Sequence, residues 1–130
     1  MDPLYPAAVT ALTLLLYLVV TGNAGRNREK HKIEAPAMTG HPDFERAYRV
    51  QMNTLEHMAL FLPAMWLYAW SLSPVWAAAV GLVWIVGRVI YAFAYIRDPA
   101  RRGPGIIISF LAQLWLLGGA FCGIGLKLVY

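Results

Sequence analysis

The sequence predicts an all-α integral membrane protein, a bundle of four helices forming one domain over residues 1–130. Three observations carry this. Of 130 residues, 59% are hydrophobic and only 14% charged, more apolar surface than a soluble domain of this size needs. Four apolar runs follow one another, each near the roughly 20 residues that cross a hydrocarbon core. The charges gather in two of the three connections rather than along the runs.

The first run, Leu4 to Val20, lacks the basic flank and the small-residue cleavage site of a signal peptide, so it reads as a transmembrane helix. That helix spans about residues 4–32, ending in a basic extension from Arg26 to Lys32. Pro36, Gly40 and Pro42 then oppose helix. The second helix is expected over about 44–71, with Asp43 as its N-cap and Pro63 as an internal irritant. Ser73-Pro74 reads as a tight turn with proline at a helix start. The third helix covers about 74–96. A loop from Asp98 to Gly105 precedes the fourth, about 106–129. Glycines 81, 87, 118, 119, 123 and 125 suit close helix approach in lipid. The lone Cys122 has no partner for an intramolecular disulfide and reads as a packing residue.

The net charge of +4 matters through its placement. Arg26, Arg28, Lys30, Lys32, Arg46 and Arg49 lie around the first connection; Arg97, Arg101 and Arg102 lie around the third. The second carries no charge. The positive-inside rule puts both basic loops in the cytoplasm and both termini on the opposite side. Basic residues that flank membrane helices do not form a nucleic-acid-binding surface, and no metal-ligand set stands out.

The most informative residues start the second helix. Arg49, Asn53 and Glu56 are four and three apart, so they fall within about 60° of one helical face; Gln51 points nearly the other way. Ionisable groups beside an apolar span are costly and tend to mark a site. The third helix presents Arg88, Tyr91 and Tyr95 at the same spacings, at the same depth. Together they frame a polar pocket at the membrane rim, suited to a zwitterionic, peptide-like ligand. The competing reading is that Arg49, Asn53 and Glu56 are interhelical glue, that the tyrosines form an aromatic belt, and that the loop arginines contact lipid headgroups. A small multidrug exporter is also four helices long. It needs a midplane carboxylate, whereas Glu56 lies near one face.

The stretch from Phe44 to Glu56 reads F-E-R-x-x-R-x-Q-x-N-x-x-E. It resembles the signature of the membrane-associated proteins in eicosanoid and glutathione metabolism. The flanking Thr39-Gly40-His41-Pro42-Asp43 and the series Gly81 to Arg88, Tyr91 and Tyr95 are similar to that family too. The resemblance implies a homotrimer that binds glutathione between subunits near the cytoplasmic face. Arg49, Asn53, Glu56, Tyr91 and Tyr95 would hold it from one subunit, and Arg28 and Gln51 from the neighbour. Arg102 matches the family arginine beside the thiol, where a guanidinium raises the thiolate fraction. The implied activity is transfer of glutathione to lipophilic electrophiles, with reduction of lipid hydroperoxides as a side activity. The alternative is a non-catalytic, lipid-binding scaffold of the same family. Three departures stand out: Glu29 follows Arg28 where leukotriene-forming members have a second arginine, His57 replaces an aromatic residue, and the proline after the motif is displaced to Pro63. They point away from leukotriene formation and leave the second substrate open.

Overall fold

The computed structural model describes residues 2–130. Its elements are α1 (Leu4–Lys30), α2 (Pro42–Ser71), α3 (Pro74–Arg97), a 3-10 turn (Pro99–Arg101) and α4 (Gly103–Val129), with no strand among the described residues. The central helices α2 and α3 pack on each other and on both outer helices, α1 and α4. α1, α3 and α4 (with its preceding turn) are long and apolar enough to cross a membrane. α2, at 30 residues, is the longest single helix, but its first half carries the polar ladder.

Helix boundaries differ from expectation where proline was read as a breaker. Pro42 occupies the first turn of α2 and Pro104 the first turn of α4, positions where a missing N–H costs nothing. The N-cap of α2 is therefore His41, not Asp43. His41 Nδ1 accepts the backbone N–H of Asp43 at 3.1 Å. α1 stops at Lys30, two residues early, because His31 leaves helical geometry and Lys32 adopts φ 56°. Pro63 leaves α2 continuous. At the other end of the bundle Pro74 opens α3 as expected, and Ser73 caps it, its hydroxyl accepting the Trp76 N–H at 3.2 Å.

Packing between helices depends on small residues. In lipid, burying a side chain only exchanges lipid contacts for protein contacts, so close fit supplies the stability. A Cβ on Gly87 would lie 2.8 Å from the Ser109 backbone nitrogen, which locks α3 against α4. Gly105 sits directly on the Tyr91 backbone, so the start of α4 presses on the part of α3 that bears that tyrosine. Gly118 and Gly125 meet nothing and take no part in this packing. The core between the helices is filled by Phe61, Met65, Trp84 and Leu116, all fully buried. Phe61 and Trp84 stack at 4.0 Å. The outside is apolar as well, with Leu14, Leu18, Phe93 and Phe121 among many exposed large side chains. A contiguous apolar exterior of this kind needs lipid or protein to cover it. Cys122 is exposed on α4, contrary to the expected packing role.

Candidate functional site

The polar ladder forms on one face of α2, as its spacing requires. Arg49 Nη1 lies 3.7 Å from Glu56 Oε1, two turns away, and both side chains are more than half exposed. An exposed pair at that distance is worth little, so both groups are free to exchange partners. Asn53, between them, turns inward and is half-buried. Its Oδ1 accepts from Arg88 Nη2 at 2.7 Å.

Arg88 is the residue the sequence placed in a stripe without assigning it a task. It is 1% exposed. A second hydrogen bond runs from its Nη2 to Thr54 Oγ1 at 3.1 Å, and Thr54 in turn donates to the Val50 carbonyl at 2.7 Å. Its guanidinium carbon sits 4.2 Å from the centre of the Tyr91 ring. No carboxylate lies within 4.0 Å among the described residues, and its Nε is unpartnered. A buried cation held only by an amide, a hydroxyl and a ring face is costly unless its geometry is good. Its effect is to fix Asn53 and Tyr91 from behind. Tyr91 is buried and its ring lies 5.5 Å from that of Tyr95, which is half-buried.

A second network lies one turn further along α2. His57 Nδ1 is 3.1 Å from Gln113 Oε1, which also accepts from Trp84 Nε1 at 2.7 Å. His57 thus faces α4 and the buried Gln113 rather than the open face of the ladder, a packing role. Gln113 escaped the sequence reading because a lone amide in an apolar run carries no pattern.

The remaining residues lie at the basic end of the bundle. Arg28 donates from Nη1 to the Ala37 carbonyl at 2.8 Å and covers the Phe44 ring at 4.6 Å. Gln51 is half-buried on the other side of α2, apart from Arg49 and Glu56. Arg102 is exposed, with Nη1 on the Pro99 carbonyl at 3.1 Å. Arg101 instead faces Asp98 at 3.9 Å, so of the two adjacent arginines Arg102 is the one without a carboxylate in reach. Arg46 donates to the Ile96 and Arg97 carbonyls, both at 3.3 Å, and so pins the end of α3 to the start of α2. A single chain thus brings together Arg49, Asn53, Glu56, Arg88, Tyr91 and Tyr95.

Sequence reasoning also missed a histidine pair. His31 and His41 stack at 3.6 Å, nearly parallel, with Asp43 Oδ2 at 3.9 and 4.0 Å. Their ring nitrogens and the Asp43 carboxylate lie within 4.8 Å of one another, and the stacked pair acts as a clasp between the end of α1 and the start of α2.

The MAPEG family model matches residues 6–122. Human microsomal glutathione S-transferase 2 is 37% identical over 114 residues, covering 86% of this chain and 78% of that protein. Leukotriene C4 synthase of Cavia porcellus is 37% identical over 111 residues, covering 85% and 73%. An uncharacterised protein of Synechocystis is 46% identical over 121 residues, covering 93% and 88%. With a family model over nearly its whole length, and the ladder formed on α2, this chain belongs to the MAPEG family.

Proposed function

We propose that this chain is a membrane-bound glutathione transferase that joins the glutathione thiolate to lipophilic electrophiles. The observation that carries the reading is the ladder: Arg49 and Glu56 face each other, loosely and in the open, over an Asn53 held by buried Arg88. A carboxylate of glutathione would replace Glu56 as the partner of Arg49, and its α-ammonium would take Glu56, through charge-assisted bonds. Tyr91 and Tyr95 supply phenols beside it. The name of one relative, microsomal glutathione S-transferase 2, supports glutathione as co-substrate.

In this reading the chain works as one domain in a homotrimer, with Arg28 and Gln51 reaching the ligand from the neighbouring subunit. Gln51 suits this because it leaves α2 away from the ladder. The basic end faces the cytoplasm and both termini the other side. Arg102 stabilises the thiolate, which attacks an electrophilic carbon. The sulfur–carbon bond forms as the leaving group departs or a strained ring opens. With a lipid hydroperoxide, the thiolate attacks the terminal oxygen, the lipid alcohol leaves, and a second glutathione releases water and the disulfide.

The test is to titrate purified protein with glutathione at neutral pH and follow thiolate absorbance in the ultraviolet, then add an aryl halide acceptor. A thiolate signal, with conjugate formed at a rate that saturates in glutathione, is the expected result. A flat signal together with tight binding of a lipophilic ligand would instead make the chain a non-catalytic scaffold of the same family.

A further inference from the structure

Two apolar furrows run side by side along α3, and each ends at arginine. The larger, about 690 Å³, lies between α1 and α3 and is bounded at its basic end by Asn23 and Arg26. The smaller, about 340 Å³, ends at Arg97 and Arg101. Val89 and Phe93 line both. Phe93, 66% exposed, is the ridge between them. We propose that this double furrow binds one anionic phospholipid, a hydrocarbon chain on either side of Phe93 and the phosphate between Arg26 and Arg97.

Length, polarity and charge each fit that occupant. From Leu12 to Arg26 the larger furrow follows roughly 21 Å of α1, and from Val89 to Arg97 the smaller follows roughly 12 Å of α3. One leaflet of hydrocarbon is about 15 Å deep, so the larger furrow traverses a leaflet, the smaller covers most of one, and both end at headgroup level. Below Asn23 every lining residue of the larger furrow is apolar, as a hydrocarbon chain requires. At the rim Arg26 is steadied by Asn23, whose Oδ1 accepts from its Nη2 at 3.0 Å. Asp98 lies 3.9 Å from Arg101, whereas no carboxylate among the described residues lies within 4.0 Å of Arg26 or Arg97. Arg46 holds the Ile96 and Arg97 carbonyls, so the rim backbone is fixed. A zwitterionic headgroup would bring its own cation against these arginines, and a free fatty acid would leave one furrow empty. None of the ladder residues lines either furrow, so this site is independent of the transferase reading.

The experiment is native mass spectrometry of the full chain released from micelles doped with phosphatidylglycerol or phosphatidylcholine. One phosphatidylglycerol retained per protomer is expected, in clear preference to phosphatidylcholine. Each basic residue near an anionic headgroup contributes about fivefold, so Arg26→Gln with Arg97→Gln should weaken retention by roughly 25-fold. Lys30→Gln, at the same end but outside the furrows, should leave it unchanged. Val89→Phe, which fills the floor common to both, should reduce retention with all arginines in place. Equal retention of the two lipids, or a double variant that retains phosphatidylglycerol like the parent, overturns the proposal. So does a change in oligomer mass on Val89→Phe without loss of lipid, because the furrow then seats a second copy of the chain.

Discussion

Arg88 and Asn53 meet in a single charge-assisted hydrogen bond of 2.7 Å, and this contact joins α2 to α3 behind the ladder. Its strength can be worked out from its setting. Hydrogen bonds to charged groups contribute about 1.5–3 kcal/mol, and the short distance and full burial of the guanidinium put this one toward the upper end. Asn53→Ala leaves the buried cation with only Thr54 and the Tyr91 ring, so it should destabilise the protein by about 2–3 kcal/mol. Arg88→Met removes the cation and its desolvation cost together, and should cost less than breaking the pair. The combined variant loses the contact once, not twice. A double-mutant cycle measured by SDS-driven unfolding in mixed micelles should therefore give a coupling energy of about 1.5–3 kcal/mol. Additivity within about 0.5 kcal/mol would refute the claim that Arg88 acts through Asn53.

Arg102→Ala should lower turnover on the order of 100-fold, as loss of one electrostatic stabiliser does, while glutathione affinity changes far less; equal turnover in steady-state assays would transfer the thiol to Arg101 or Tyr95. Glu56→Gln keeps the size but loses the charge that would meet an α-ammonium, so calorimetry should show glutathione binding weakened about tenfold or more, and unchanged affinity would make Glu56 structural. Gly105→Ala sets a methyl against the Tyr91 backbone, and overpacking of this kind costs about 1–3 kcal/mol; a Tm equal to the parent's would mean that α4 does not press on Tyr91. His41→Ala removes the cap on Asp43 N–H and should cost about 1 kcal/mol, read as a lower Tm, whereas His41→Asn should recover most of it.

Periodicity and charge placement are local properties, and they determined much of this protein. They determined four helices, the turn at Ser73-Pro74, and the common face of Arg49, Asn53 and Glu56, because side-chain direction on a helix follows from spacing alone. The F-E-R to Glu56 stretch pointed to the family that the family model then matched. Boundaries at Pro42 and Pro104 went astray because a proline breaks a helix interior but suits its first turn, and the sequence does not say which of the two applies.

Only the tertiary structure decided how the faces meet. The task of Arg88 depends on where α2 brings Asn53 and Thr54, residues 35 and 34 positions away. Gln113 joins His57 and Trp84 from a third helix, and the larger furrow beside Phe93 exists only where α1 meets α3. Spacing sets the direction of a side chain from its own axis; what it finds there depends on the position and rotation of a neighbouring helix, which packing at small residues such as Gly87 and Gly105 settles.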